Sequence, residues 1–215
     1  MKILFLSDTH EQHERLINLP EADLIIHGGD MTDRGKDLEI QEFIDWFSRL
    51  NYQYKIFIAG NHDYFFEDQP QRVIQNSLPK NMFYLCDSGI EIEGIKFWGS
   101  PVIPKVSLFN PWAFEKNRGS EINLHWKKIP LDTNILITHT PPYGKLDKVQ
   151  DNYMGCKDLL KTIRSIDLSF HLFGHIHEGY GLRKIGNTTF INGSVFFNLK
   201  HLNNPILFEY QKSKN

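Results

Sequence analysis

The sequence predicts an α/β protein in which two mixed β-sheets pack as a sandwich. Two observations lead to this fold class. In residues 2–59, three short apolar segments alternate with helical segments, and this alternation favours parallel strands joined by right-handed crossovers. From residue 82 onward the pattern changes to short strands separated by tight turns, such as the turn at Glu93 and Gly94, which favours a second sheet.

The first part of the chain contains three predicted strands and two predicted helices. Residues 2–7, 23–27 and 55–59 are short apolar runs of the kind that form buried strands. Residues 11–18 are expected to form a short helix. Residues 38–50 carry apolar side chains at helical spacing, which predicts a helix with one buried face. These side chains are Ile40, Phe43, Ile44, Phe47 and Leu50.

The rest of the chain is predicted to hold more strands than helices. Residues 101–134 are rich in Pro, Trp, Phe and Asn, and are expected to be a long surface excursion with a helix over residues 121–127. A further helix is expected over residues 156–166, and the polar tail, residues 211–215, is expected to fray. The predicted strands are residues 82–85, 90–92, 96–99, 135–138, 168–173, 179–185, 188–192 and 206–210.

The composition is that of an ordinary globular protein. Hydrophobic residues make up 40% and charged residues 23% of the 215 residues, so we expect one domain over residues 1–215. The formal net charge of −2 argues against a nucleic-acid polymer as substrate, because proteins that bind such polymers usually carry a basic excess. Cys86 and Cys156 are far apart in the sequence, which favours two reduced thiols.

The sequence favours a cytoplasmic protein with no membrane partner. The apolar run after Met1 and Lys2 ends at Ser7 and Asp8, whereas a secretory signal needs a longer run. No apolar stretch approaches the roughly 20 residues of a membrane span. The sequence leaves the oligomeric state open.

Polar side chains that could bind metal follow five of the predicted strands. Ligands of open α/β sheets bind beyond the carboxyl ends of the strands, so we expect these side chains to meet. The alternative, turn-capping residues, would require five coincidences. Carboxylate and amide oxygens with imidazoles suit divalent ions, and two ions about 3.5–4 Å apart can hold a hydroxide and clamp an in-line displacement. The candidate ligands are Asp8, His10, Asp30, Asn61, His139, His175 and His177.

Five sequence blocks carry these residues, in order and across nearly the whole chain. They are DTH at residues 8–10, GDMTDRG at 29–35, GNHD at 60–63, His139, and GHIH at 174–177. Together they resemble the calcineurin-like metallophosphoesterase superfamily. The resemblance implies the metallo-dependent phosphatase fold, a four-layer αββα sandwich, with two divalent metal ions at one edge.

The resemblance also implies a role for each matched residue. The first ion is expected to bind Asp8, His10, Asp30 and His177, and the second is expected to bind Asp30, Asn61, His139 and His175. His62 is expected to contact the phosphate and to protonate, or electrostatically support, the leaving oxygen, with Asp63 orienting it. The alternative roles for His62 are a further metal ligand and a structural hydrogen bond.

A narrower resemblance is to the small metallophosphoesterase-domain-containing proteins first described in animal brain. It is carried by the segments IAGNH at residues 58–62, GSP at 99–101, WAF at 112–114 followed by Arg118 and Gly119, ITHTPP at 137–142, and HIHEGYG at 175–181. Two features depart from it: GDMTDRG is similar to the phosphoprotein phosphatases, and Asp63 stands where many of these relatives carry Glu.

Arg34, Arg118 and His13 are the candidate substrate contacts. Arginine binds phosphate through two parallel hydrogen bonds, and Arg34 lies in the GDMTDRG block. His13 follows His10 by three residues and could face the same pocket. The alternatives are a solvated turn pair of Arg34 with Asp33, and an Arg118 stacked on a loop aromatic ring.

The expected activity is that of a metal-dependent phosphoric ester hydrolase. The most specific expectation is a phosphodiesterase that acts on a small nucleotide-like substrate by attack of metal-bound hydroxide. Manganese is the expected ion, and Fe, Zn, Ni and Co suit the same ligands. The alternatives are a Ser/Thr protein phosphatase, a phosphomonoesterase, and a catalytically weak metal-dependent binding or regulatory protein.

Overall fold

Two large β-sheets dominate the computed structural model, which describes residues 1–106, 109 and 111–211. The tail residues 212–215, for which the sequence predicts fraying, lie outside the described residues, as do residues 107, 108 and 110 of the predicted excursion.

The strands of the described residues are short. They are β1 (Lys2–Leu6), β2 (Leu24–His27), β3 (Tyr54–Phe57), β4 (Met82–Tyr84), β5 (Ser88–Ile92), β6 (Ile95–Ser100), β7 (Ile103–Pro104), β8 (Glu115–Lys116), β9 (Ile135–Thr138), β10 (Lys148–Val149), β11 (Asn152–Tyr153), β12 (Phe170–Phe173), β13 (Gly181–Ile185), β14 (Thr188–Asn192), β15 (Phe196–Asn198), β16 (His201–Leu202) and β17 (Ile206–Glu209). The helices are α1 (Asp37–Arg49), α2 (Tyr64–Glu67), α3 (Gln71–Ser77), α4 (Ser120–Trp126) and α5 (Lys157–Ile163), with 3-10 turns at His13–Arg15 and His177–Gly179.

Both large sheets have a parallel centre, with an antiparallel strand at one edge of the first sheet and at both edges of the second. The first sheet has the order β17-β1-β2-β3-β4, in which β1 to β4 are parallel and β17 is antiparallel to β1. The second has the order β13-β14-β12-β9-β6-β5, in which only the edge strands β13 and β5 are antiparallel to their neighbours. The predicted sandwich of two mixed sheets is therefore confirmed.

Strand β1 shows why the first sheet is covered on both faces. Successive side chains of a strand point to opposite faces, and β1 is apolar on both. Leu4 and Leu6 belong to the core that contains Phe43 of α1, whereas Ile3 and Phe5 belong to the core between the two sheets. The first sheet thus lies between a helical layer and the second sheet.

Strand β9 repeats this arrangement in the second sheet. Ile135 and Ile137 join the core between the sheets. Leu136 points the other way and packs in a third core with Trp126 of α4 and Leu159 of α5. The layers are therefore helix, sheet, sheet, helix, which confirms the four-layer αββα sandwich.

The structure corrects several details of the sequence prediction. Residues 11–18 form only the 3-10 turn His13–Arg15, and Glu11 and Asn18 on either side have left-handed backbone angles that end a helix. The excursion at 101–134 is not confined to the surface, because residues such as Ala113 and Trp126 are fully buried. The short helices α2 and α3 are additions that the sequence pattern does not predict.

Two further observations bear on the sequence predictions. Cys86 and Cys156 are both free, as the sequence predicts. Within the described residues, none of the helices has both the length and the apolar character that a membrane crossing requires.

Candidate metal centre

Five parallel strands end at one edge of the sandwich and deliver the candidate ligands there. Strands β1, β2 and β3 of the first sheet lead to Asp8 and His10, to Asp30, and to Asn61. Strands β9 and β12 of the second sheet lead to His139, and to His175 and His177. The seven predicted ligands are thus brought together, and their assigned roles as ligands stay predictions.

The backbone is strained where it turns back toward this edge. Asp8, His10, Asp30 and His175 have φ angles of 54°, 41°, 52° and 67°. Such left-handed angles cost free energy for residues with a side chain, and they concentrate at functional sites. The tight turns place each side chain over the end of the sheet.

Two glycines leave room for the carboxylates. A Cβ atom at Gly60 would overlap Oδ1 of Asp30, and one at Gly174 would overlap Oδ2 of Asp8. Any other residue at either position must push the carboxylate away from its place, so the blocks GNHD and GHIH need their glycines for reasons of space.

Asp8 is fully buried and is fixed by donors from the second sheet. The hydroxyl of Ser194 donates to its Oδ2 at 2.7 Å, and the backbone N–H of His175 donates to its Oδ1 at 2.9 Å. Nε2 of His177 lies 3.4 Å from Oδ1. Burial alone would raise the pKa of Asp8, but the hydrogen bond and charge of His177, with His139 and His10 nearby, hold it well below its usual value.

Asp30 lies at the centre of the cluster. Its Oδ1 accepts the backbone N–H of His62 at 2.9 Å, and its Oδ2 lies 3.2 Å from Nε2 of His139. Burial opposes ionisation of Asp30, yet His139 holds the pKa of Asp30 below its usual value. Burial would likewise lower the pKa of His139, but the Asp30 charge raises it to about 9. The carboxylate is therefore charged in the fold.

In His139 and His10, the ring nitrogen Nδ1 lies within hydrogen-bond distance of an acceptor. Nδ1 of His139 lies 2.9 Å from the carbonyl oxygen of Gly28, and Nδ1 of His10 lies 2.9 Å from Oδ1 of Asp33. A carbonyl or a carboxylate can only accept, so both Nδ1 atoms carry protons. Nε2 of His139 also lies 3.0 Å from Oδ1 of Asn61. Both rings therefore present Nε2 to the cluster, as metal-binding histidines do.

The residues present fit divalent ions. Three groups, each with ligand atoms within 4.8 Å of one another, are Asp8 with His10 and His177, Asp30 with His139 and His175, and His10 with Asp30 and His62. Nε2 of His10 is buried and has no hydrogen-bond partner among the described residues. A buried polar nitrogen without a partner is costly unless a ligand binds it. Mixed nitrogen and carboxylate donors suit Mn, Fe or Zn.

His62 borders the cluster, and the structure corrects the predicted role of Asp63. Nδ1 of His62 lies 2.8 Å from the backbone carbonyl of Asp33, whereas the Asp63 carboxylate accepts the hydroxyl of Thr32 and the N–H groups of Thr32 and Gly60. Asp63 therefore joins two loops and does not orient the His62 ring. Burial, and then the Asp30 charge, raise the pKa of Asp63 to about 7 despite these donors.

A cavity of about 460 Å³ opens above the cluster. Part of its wall is apolar, because Val106, Trp112 and Phe196 line it beside the polar residues. Its polar lining residues are His10, Asp30, Asp33, Asn61, His62, His175 and His177.

The three predicted substrate contacts are not part of this cavity. His13 is buried in the core, with its ring centroid 5.1 Å from that of Trp46, so the prediction that it faces the pocket is wrong. The 3-10 turn that begins at His13 points its ring toward α1. Arg34 and Arg118 are exposed and do not line the cavity, which argues against the predicted contacts with phosphate.

Two residues support the cluster in roles that the sequence does not predict. The sequence suggests only a turn position for Asp33, yet its carboxylate fixes His10 and its carbonyl fixes His62. Its position three residues after Asp30 in the GDMTDRG block is the available signal. Ser194 donates to Asp8 from the loop after β14, and no motif marks it.

We expect Gly174→Ala to weaken Mn²⁺ binding about tenfold or more, because the added methyl group displaces the Asp8 carboxylate from its donors. Isothermal titration calorimetry on metal-stripped protein measures this. Gly186→Ala is the control: its φ of 59° makes the substitution strained, but the added methyl group meets no atom within 4 Å, so the strain does not reach the Asp8 carboxylate. Equal affinities for Mn²⁺ in both variants would contradict the role given to Asp8.

The chain is similar to a known protein family and to individual proteins. A family model described as calcineurin-like phosphoesterase matches residues 1–179. The UPF0046 protein K07C11.7 of Caenorhabditis elegans is 40% identical over 206 residues, which cover 90% of this chain and 69% of that protein. Metallophosphoesterase domain-containing protein 1 of Homo sapiens is 36% identical over 239 residues, which cover 100% of this chain and 72% of that protein.

A solved structure agrees with the fold. The crystal structure of TT1561 of Thermus thermophilus superposes with a TM-score of 0.63 and 16% identity, covering 90% of this chain and 88% of that one. This likeness concerns the fold alone. The family model and the two curated relatives carry the assignment further, and the chain belongs to the calcineurin-like phosphoesterase family.

Proposed function

We propose that this protein is a phosphodiesterase that hydrolyses a small nucleotide-like phosphodiester with two divalent ions, for which manganese is the expected metal. The observation that carries this proposal is the composition of the cavity. The ligand cluster lies below an opening with apolar side chains, and among the described residues that line it none is Lys or Arg.

The charge of the cavity favours a diester over a monoester. A phosphate monoester carries a charge of about −1.5 to −2 at neutral pH, whereas a diester carries one negative charge. The two ions would attract either ester, so the remaining lining decides: the Asp33 carboxylate repels the second negative charge of a monoester, and Arg34 and Arg118 lie outside the lining and do not offset it. A diester also has two substituents, and the apolar lining offers contacts for them.

The proposed ligand sets are those implied by the family. Asp8, His10, Asp30 and His177 would hold one ion, and Asp30, Asn61, His139 and His175 the other, with Asp30 shared. Bound ions would polarise the phosphoryl oxygens and lower the pKa of a bound water. The chain itself keeps the ligands in place, through the Ser194 hydroxyl on Asp8 and the Asp33 carboxylate on His10.

His62 is the proposed proton donor. Its Nδ1 proton is engaged by the carbonyl of Asp33, so Nε2 is the atom left to meet a substrate in the cavity. From Nε2 the ring can hold a proton and give it to the leaving oxygen. The neighbouring His10 ring, with its centroid 4.8 Å away, keeps His62 close to the cluster.

The single-domain extent over residues 1–215 and the cytoplasmic location stay predictions from the sequence. A phosphomonoesterase, a Ser/Thr protein phosphatase and a metal-dependent binding protein are outcomes of the experiments that follow.

We expect metal-stripped protein to hydrolyse bis-p-nitrophenyl phosphate faster than p-nitrophenyl phosphate once Mn²⁺ is added, and neither ester without metal. Release of p-nitrophenolate measures both rates. Faster hydrolysis of the monoester would instead indicate a phosphatase. Hydrolysis of neither ester, with two ions bound per chain, would indicate a binding protein.

We expect His62→Ala to lower kcat about 100-fold or more for bis(trifluoroethyl) phosphate, whose alkoxide leaving group needs a proton more than p-nitrophenolate does, while both ions still bind, because the variant loses the proton donor and keeps the ligands. Steady-state rates and metal analysis after dialysis provide the two readouts. The control is His201→Ala, which removes an exposed histidine outside the cavity. Loss of an ion from His62→Ala would make His62 a ligand, and unchanged kcat would refute its proposed role.

A further inference from the structure

We infer that Trp112 determines specificity by forming the subsite for the leaving group of the diester, and that this subsite accepts a planar, aromatic leaving group. This inference deepens the proposed function and rests on it, including the role given there to His62.

Trp112 lies directly beside the proposed proton donor. Its ring centroid is 4.5 Å from that of His62, with an angle of 41° between the ring planes. Trp112 also stacks with Tyr64, at a centroid distance of 6.3 Å and an angle of 28°. The half-buried indole lines the cavity together with Val106. A group bound next to Nε2 of His62 therefore lies within reach of the indole face.

The backbone around Trp112 is anchored, so the indole has a defined position. The N–H of Ala113 donates to the carbonyl of Asn61 at 3.2 Å, which ties this segment to the loop of a proposed metal ligand. The N–H of Phe114 donates to Oε1 of Glu67 at 2.9 Å, and the Tyr64 hydroxyl donates to the carbonyl of Pro111 at 3.3 Å. A rigid aromatic surface binds a ligand at a lower entropic cost than a mobile one.

The in-line geometry of phosphoryl displacement determines on which side of the cavity the leaving group lies. The attacking and leaving oxygens lie on opposite sides of phosphorus. Because His62 protonates the leaving oxygen in the proposed mechanism, the leaving group lies on the side of His62 and Trp112. Phe196 contacts other rings, those of His10 at 5.3 Å and His177 at 5.7 Å, and so does not share the surface of Trp112.

The chemistry of this surface favours an aromatic group. Among the residues that line this side of the cavity, the indole of Trp112 offers stacking and the side chain of Val106 offers apolar contact. Stacking of a base or similar ring on an aromatic side chain contributes about 1–3 kcal/mol, measured by truncation of that side chain. Stacking tolerates many rings, so the subsite would select for planarity and not for one base.

The test compares substrates that differ in one group at a time. Methyl p-nitrophenyl phosphate and phenyl p-nitrophenyl phosphate share an aromatic leaving group and differ in the retained group. Bis(trifluoroethyl) phosphate has an aliphatic leaving group and is followed by fluorine NMR. With Mn²⁺ bound, we expect Trp112→Leu to lower kcat/KM about tenfold for both aryl esters and to spare the trifluoroethyl ester. Trp112→Phe, which keeps a ring, should restore most of the loss.

Each other outcome has a definite meaning. A loss confined to the phenyl ester would place the retained group on Trp112. A loss on all three esters that is at least as large for the trifluoroethyl ester would mean that Trp112 only positions His62. Either result overturns the inference and leaves the proposed function intact. Unchanged rates in Trp112→Leu overturn it as well. If the unmodified protein hydrolyses none of the diesters, the proposed function and this inference are both contradicted.

Two controls separate the subsite from folding. Trp98→Leu removes a tryptophan outside the cavity and should leave all three rates unchanged. The thermal midpoint of each variant shows whether it is folded. Should Trp112→Leu fail to fold, Trp112→Phe and Trp112→His, which keep a ring of different size and polarity, carry the comparison. The inference would be refuted if the ratio of kcat/KM for the aryl esters to that for the trifluoroethyl ester were the same in Trp112→Phe, in Trp112→His and in the unmodified protein.

Discussion

The structure of this edge of the sandwich depends on two buried carboxylates. Asp8 is 0% exposed and Asp30 is 2% exposed. Removing a carboxylate from water costs several kcal/mol unless opposite charges and hydrogen bonds compensate. Here the compensation comes from the Ser194 hydroxyl, from backbone N–H groups and from imidazoles, with His139 nearest to Asp30. Divalent ions would complete it, and the orphan Nε2 of His10 marks one place where a ligand is needed.

This constraint explains features that otherwise look unrelated. The left-handed backbone at Asp8 and Asp30, and the glycines at 60 and 174, all serve to bring charged groups close together where the strands end. Such strain must be offset elsewhere, and the three apolar cores on the faces of the two sheets are suited to do so. Trp112 then forms part of the cavity wall without contributing charge.

The sequence predicts most of the fold and the convergence of ligands because both depend on local patterns. Strand periodicity and polar residues just after strands are visible in a single sequence, and so is the difference between His139, which follows a strand, and His171, which lies inside one. The rest depends on tertiary contacts. Thr32, a partner of Asp63, lies in a loop 31 residues away, the direction of His13 depends on a 3-10 turn, and the position of Trp112 depends on a hydrogen bond from its neighbour to Asn61.

The central claim is that two ions compensate the buried carboxylates and share Asp30. The most direct measurement is an anomalous difference map from a crystal grown with Mn²⁺. The account predicts two peaks, one among Asp8, His10 and His177, the other among Asn61, His139 and His175, with Asp30 touching both. A single peak, or peaks that Asp30 does not join, would contradict it.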